Sequence, residues 1–149
     1  MGNLPALIVS LCLAGSLHIG GPAFVVVGDT VVDDSTAAVE RVFGDVHGGM
    51  LENAVEGFSA HFSPHVFIQL PGSEGGIFSA RQAFFVLDHF LKDHNVIAAT
   101  LTPSERSGLN PYASGNATIV ARGTRQEVRL YVVLAWDGER WTITHFSIQ

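Results

Sequence analysis

Apolar residues recur at helical spacing in the first half of the chain and alternate with polar residues in the second half. An apolar stripe predicts a first helix over residues 35–47, and the glycines Gly48 and Gly49 are expected to end it. A second stripe of the same spacing predicts another helix over residues 50–62, stopped by Pro64. Two helices are therefore expected before the first strand.

A third helix is predicted after two short strands. Residues 66–70 alternate in polarity, and residues 77–78 form a brief strand before Ser79. Ser79 and Gln82 have the spacing of a capping box, in which each side chain bonds the other residue's backbone N–H. This helix is expected to pack through the apolar positions on one of its sides, which are Ala83, Leu87, Phe90 and Leu91.

The second half predicts a four-stranded antiparallel meander. Strands are expected over residues 96–102 and 112–122, with a tight turn at Gly123-Thr124 leading into a third. The pair Asp137-Gly138 is a strong hairpin signal and precedes the fourth strand, over residues 141–148.

The two hairpins predict which side chains face the helices. A turn at Asp137-Gly138 pairs Leu130 with His145, which places this histidine in an otherwise apolar layer. The small residues Gly115 and Ala117 fall on the same face and could leave a hollow beside it. A hollow with a few polar groups is the usual form of a small-ligand site. The residues predicted to bind such a ligand are His145, Ala117, Gly115, Leu130, Phe90 and Trp141.

Two alternatives stay open at this point. Bulky side chains could fill the hollow while His145 bonds a helix carbonyl, which would make the layer an ordinary core; these side chains are Phe58, Phe62, Phe84 and Phe90. The outer face of the sheet could instead contact a protein partner, including a second copy of the chain, or be solvated. Its mixed polar and apolar residues are Arg129, Tyr131, Val133, Asn116 and Thr118.

The N-terminal segment has the features of an export signal. Residues 1–28 contain no charged side chain, and residues 4–17 are a compact apolar run followed by small residues. This pattern predicts a signal peptide over residues 1–23, and hence a secreted or periplasmic protein, with an uncleaved anchor as the alternative. Residues 24–34 are interpreted as a flexible lead-in, and residues 35–149 as one domain.

Charge and residue types exclude several classes of function. The net charge is -6, with no basic stripe for phosphates, so no nucleic acid is expected as a partner. Cys12 is the only cysteine and lies in the segment expected to be removed. His61 and His65 are separated by Pro64, and no other histidine spacing fits metal ligands. No metal and no cofactor are predicted.

The order of elements resembles the nuclear transport factor 2-like fold. More narrowly, Gly-Ile-Phe-Ser-Ala-Arg-Gln-Ala over residues 76–83 and Trp-x-Ile-x-x-Phe-x-Ile over residues 141–148 resemble the bacterial family called domain of unknown function 4783. The resemblance implies an α+β, cystatin-like cone in which three helices pack on a curved antiparallel sheet. It also implies an exported protein of uncharacterised role, with no family-defined catalytic residues.

Two hypotheses for a biochemical function follow, beside a purely structural role as an accessory domain that no residue in the sequence opposes. The first is a non-enzymatic exported domain that binds a small apolar ligand in the cone or a protein partner on the sheet. The alternative is a small-molecule isomerase, cyclase or hydrolase acting in the cone. Enzymes of similar fold use a carboxylate there, whereas here no Asp or Glu falls on the predicted inner face, and Glu127 points outward. Binding is therefore favoured over catalysis.

Overall fold

A computed structural model describes residues 25–27, 30–32 and 34–149 of the chain, so the predicted signal segment lies outside the described residues. The helices are α1, Asp34–Glu52, and α2, Ala80–Asp93. The described strands are β1 Val25–Val27, β2 Thr30–Val32, β3 Phe62–Gln69, β4 Gly76–Ser79, β5 Asn95–Ala99, β6 Thr102–Glu105, β7 Tyr112–Ala121, β8 Thr124–Trp136 and β9 Trp141–Ile148.

The strands form one large sheet and one small hairpin. The large sheet has the order β4-β3-β9-β8-β7-β5, with β6 also paired to β7. The predicted antiparallel meander is confirmed, because β5, β7, β8 and β9 pair in that order. The sheet as a whole is mixed rather than antiparallel, since β3 and β9 run parallel. Within the predicted lead-in, β1 and β2 pair with each other.

Two α-helices are present in the described residues, not the three that the sequence predicted. The helix α1 continues through Gly48 and Gly49 to Glu52, and the next residue, Asn53, has a φ of 54°. The Ala54 N–H donates to the Gly49 carbonyl at 2.9 Å, and the Asn53 N–H donates to that of Met50 at 3.2 Å. These two bonds form a Schellman cap, so a left-handed asparagine ends the helix instead of the two glycines.

The second predicted helix is replaced by two single 3-10 turns, Val55–Gly57 and Ser59–His61. Val55 and Phe58 of this segment are nevertheless buried, and Phe58 packs against α1 at Gly49. A Cβ atom at Gly49 would lie 2.8 Å from the Ala54 carbonyl oxygen and closer still to the Phe58 ring. Gly49 is therefore required for close packing, and the helix tolerates it.

The helix α2 agrees with its prediction. The Ser79 hydroxyl accepts from the Gln82 N–H, and the Gln82 side chain accepts from the Ser79 N–H at 3.0 Å. The predicted face of the helix is buried, whereas Phe85 on the other side is exposed. No described helix is both long enough and apolar enough to cross a bilayer.

The layer between helices and sheet is a packed core. Phe58 stacks on Phe146 with ring centroids 5.6 Å apart, and Phe62 meets Phe58 edge-on at 5.8 Å. Ala117 is 2% exposed and Phe90 is 6% exposed. These side chains occupy the space where the sequence suggested a hollow.

The absence of a side chain at Gly115 makes room for the backbone of Thr100 and not for a ligand. The predicted strand over residues 96–102 ends at Ala99, and the chain then crosses over Gly115 before β6 begins. A Cβ atom at this position would overlap the carbonyl oxygen of Thr100. The small residue thus allows the edge of the sheet to kink, and Pro103 follows in β6, where an edge strand tolerates proline.

The predicted placement of His145 on the inner face is wrong. In the hairpin of β8 and β9, Leu134 pairs with Ile143 but Val133 pairs with His145, so Thr144 is an extra residue in β9. Such a bulge reverses which side chains face the core. Phe146 consequently points inward, and His145 lies on the outer face.

Candidate ligand-binding groove

The outer face of the large sheet contains a groove of about 680 Å³. This volume lies in the range of about 300 to 1,000 Å³ typical of small-molecule sites. The groove crosses the neighbouring strands β3, β9, β8 and β7. Its lining residues are Gln69, Ser114, Gly115, Asn116, Arg129, Leu130, Tyr131, His145, Ser147 and Gln149.

Four side chains form a row across the floor of the groove. Gln69, Ser147, Tyr131 and Ser114 are successive partners on the four strands. Ser147 is 2% exposed, and its Oγ has no hydrogen-bond partner among the described residues. Buried hydroxyl groups are normally hydrogen-bonded. The Ser147 hydroxyl is therefore an unused donor and acceptor in this row.

His145 occupies the next row with two aromatic neighbours. Its ring centroid lies 4.8 Å from that of Phe67 and 5.5 Å from that of Tyr131. Burial lowers the pKa of His145 below its ordinary value of 6.5, because the charged form loses solvation. At neutral pH the imidazole is uncharged and has one donor and one acceptor nitrogen.

Arg129 supplies the positive charge of the groove. The backbone N–H of Arg129 donates to the backbone oxygen of Gln149 at 2.6 Å, and the Gln149 backbone N–H donates to the Arg129 carbonyl at 2.9 Å. The exposed guanidinium forms no ion pair with any residue that the structure describes. The side-chain amide of Gln149 donates to Gln69 Oε1 at 3.0 Å. Among the described residues no Asp or Glu side chain belongs to the lining, so Arg129 is its one charged side chain.

The groove combines residues from both predicted sets. His145, Gly115 and Leu130 come from the predicted ligand site. The predicted partner surface also contributes three lining residues, which are Arg129, Tyr131 and Asn116.

The other predicted site residues lie elsewhere. Ala117 and Phe90 are in the core, and Trp141 lies at the far end of the β8–β9 hairpin, 5.6 Å from the ring of Trp136. Val133 and Thr118 are on the outer face but outside the groove, where the Thr118 hydroxyl donates to Glu127 at 2.6 Å.

Sequence reasoning missed four lining residues. Ser114 is on the predicted outer face, but nothing in its surroundings distinguished it. Ser147 lies near the end of its strand with no distinguishing sequence pattern, yet it is buried between β8 and β3. Gln69 and Gln149 enter the groove only because β3 pairs with β9, and no local pattern signals that long-range contact.

A second cavity, of about 300 Å³, lies near the turn between β8 and β9. It is lined mainly by apolar atoms, with the indoles of Trp136 and Trp141 on one side and His61 on another. The Nε2 atom of His61 lies 2.7 Å from Oδ2 of Asp45. Among the described residues, no group of three or more His, Cys, Asp or Glu side chains is placed to hold a metal ion.

The described elements have the nuclear transport factor 2-like fold. A solved nuclear transport factor 2-like protein of unknown function from Pseudomonas putida has a TM-score of 0.58 at 8% identity, covering 76% of this chain and 84% of that chain. A putative isomerase from Bacillus subtilis has a TM-score of 0.60 at 10% identity, covering 77% and 87%. At these identities the likeness concerns the fold alone.

Residues 43–149 match the family described as Domain of unknown function (DUF4783), and the chain belongs to this family. A solved DUF4783 family protein from Bacteroides uniformis has a TM-score of 0.64 at 12% identity, covering 71% of this chain and 94% of that chain. No curated protein matches the chain in sequence.

Proposed function

We propose that the chain is an exported, non-enzymatic domain that binds a small molecule in the outer groove. The observation that carries the proposal is the buried Ser147 hydroxyl without a partner. An unsatisfied buried polar group costs about 1 to 3 kcal/mol, so a ligand that bonds this hydroxyl recovers free energy on binding. The neighbouring polar groups of Tyr131, His145 and Arg129 give such a ligand further contacts.

The proposed site differs from the apolar pocket expected inside the cone. The inner layer contains Phe58, Phe146 and Ala117 at close packing density, which leaves the outer face for a ligand. The outer groove has a polar floor, with serine, glutamine and histidine side chains. A ligand with hydrogen-bonding groups therefore fits it better than a purely apolar one.

A second candidate function, catalysis, is favoured by one specific observation. His61 and Asp45 form a hydrogen-bonded pair beside the cavity of Trp136 and Trp141. A carboxylate that orients an imidazole is a common arrangement for moving protons. An isomerase, cyclase or hydrolase would use this pair, and an activity on chromogenic esters that His61→Gln and Asp45→Asn both abolish would support it. Catalytic activity independent of both residues would oppose it.

The binding proposal can be tested with the full-length chain by a fragment titration followed in ¹H–¹⁵N spectra. We expect the amides of Tyr131, His145 and Gln149 to shift together, and Ser147→Ala to weaken the fragments that shift them at least fivefold. The control is Thr142→Val, because Thr142 is equally buried but its hydroxyl already donates to the Ala135 carbonyl at 3.2 Å. This control should leave fragment binding unchanged.

Two results would overturn the proposal. In the first, fragments shift only the amides around the second cavity, or Thr142→Val weakens them as much as Ser147→Ala does. In the second, sedimentation shows a dimer that Tyr131→Glu dissociates and no fragment reaches the groove. The predicted partner surface of Arg129, Tyr131, Val133, Asn116 and Thr118 would then be an interface between copies.

A further inference from the structure

The groove on the outer face has a charge pattern that selects among ligands. Arg129 is the lone charged side chain in its lining, and the guanidinium has no carboxylate partner among the described residues. A guanidinium binds a carboxylate through two parallel N–H donors, which is stronger than a neutral hydrogen bond. A cationic ligand would be repelled at this end of the groove.

The surrounding charges also limit how negative the ligand can be. One guanidinium balances one negative charge, and the chain as a whole carries a net charge of -6. Glu127 lies two residues before Arg129 in β8, with its side chain on the same face, where it bonds Thr118. A dianion such as a phosphate monoester would meet uncompensated repulsion. A monoanion fits this balance better.

The opposite end of the groove is aromatic. Tyr131 and His145 line this end with their rings in contact, and the Phe67 ring packs on His145 from outside the lining. Aromatic rings favour planar partners, in offset-stacked or edge-to-face arrangements. Tyr131 and Arg129 are adjacent on the outer face of β8, so their Cα atoms are about 7 Å apart at the rise of a strand. A planar ring and an acidic group separated by a short linker can therefore span the two ends.

We infer that the groove binds a small organic monocarboxylate that has a planar ring, with its carboxylate on Arg129 and its ring against Tyr131 and His145. The inference rests on the proposed binding function and names its ligand class. In this arrangement the ligand lies over Ser147, whose hydroxyl can donate to it. The neutral imidazole of His145 leaves the guanidinium as the group that recognises the negative charge.

The inference can be tested with two probes that differ only in charge. Phenylacetate and phenylacetamide have the same ring and linker, and their binding to the full-length chain can be measured by ¹H–¹⁵N titration. We expect phenylacetate to bind at least tenfold more tightly than phenylacetamide. Arg129→Gln should reduce phenylacetate affinity to that of phenylacetamide. Arg125→Gln is the matched control, because Arg125 is exposed on the same face of β8 but outside the groove, and it should change affinity less than twofold.

Three results would overturn the inference. The first is equal affinity of the two probes for the unmodified chain. The second is an equal loss from Arg125→Gln and Arg129→Gln, which would mean that overall charge and not the groove attracts the anion. The third is no binding of phenylacetate. If neutral fragments still bind the groove and depend on Ser147, the proposed function holds and only the ligand class is wrong.

Discussion

Thr142 and Ser147 are both buried hydroxyl residues of β9, yet only Thr142 has a hydrogen-bond partner among the described residues. Their substitutions should therefore differ in effect on stability. Thr142→Val removes a hydrogen bond and should lower the free energy of unfolding by about 1 kcal/mol. Ser147→Ala removes a hydroxyl that bonds nothing in the fold and should leave stability unchanged or raise it. Urea unfolding of both variants measures this, and a loss for Ser147→Ala as large as for Thr142→Val would contradict it.

Gly48 and Gly49 are adjacent in α1 but have opposite surroundings. A Cβ atom at Gly48 meets nothing within 4 Å, whereas one at Gly49 would collide with Phe58 and the Ala54 carbonyl. Gly48→Ala should stabilise the helix by about 0.5 to 1 kcal/mol. Gly49→Ala should destabilise the fold, and thermal unfolding of the pair would show shifts of opposite sign. Shifts of the same sign would mean that Gly49 is not a packing requirement.

Ala117→Phe tests whether the inner layer is full. The Ala117 side chain is 2% exposed within the core, so a phenyl ring there forces neighbouring side chains from their positions. We expect a loss of about 1 to 3 kcal/mol in the free energy of unfolding, as is typical of overpacking. An unchanged or higher stability, measured by urea unfolding, would reveal a cavity in the cone.

The half-buried imidazole of His145 should make stability depend on pH. Its pKa is lowered in the fold from an ordinary value of 6.5, so the unfolded chain takes up a proton at a higher pH than the folded chain. The contribution of neutral His145 is fully present above pH 6.5 and declines as the pH falls from there to the folded pKa. His145→Gln should lose this part of the pH dependence, which urea unfolding at pH 5 and pH 7.5 would measure. Parallel pH profiles of stability for the unmodified chain and His145→Gln would mean that His145 does not contribute to the pH dependence.

The export hypothesis predicts a specific mature chain. Cleavage after the small residues that follow the apolar run should give a protein that begins near Phe24 and lacks Cys12. Intact-mass measurement of the protein recovered outside the cytoplasm would identify this form. Recovery of the uncleaved chain with membranes would favour the anchor instead.

Local signals in the sequence predicted those elements that depend on local chemistry. The capping box of Ser79 and Gln82 marked the start of α2 correctly, and alternation of polarity identified β7, β8 and β9. The turn at Arg122 and Gly123, both with positive φ, lies one residue before the predicted one. The predicted inner face of β7 is nevertheless correct, because the change in register is an even number of residues.

The site was harder to predict because one residue decides which face His145 occupies. The Thr144 hydroxyl donates to the Val133 carbonyl at 3.3 Å, within the bulge that turns His145 outward. Threonine is common in regular strands, so its type does not signal a bulge. The double glycine of α1 misled in a similar way, since its helix ends instead just before Asn53. Both features depend on contacts that a local pattern does not contain.

The position of β9 in the sheet has a consequence for biosynthesis. This strand comes last among the described elements, yet it lies between β3 and β8 and joins the two parts of the sheet. Until residues 141–148 have left the ribosome, β3 and β4 have no connection to the meander. The large sheet therefore cannot close before these residues are available, and its assembly depends on the strand made last among those described.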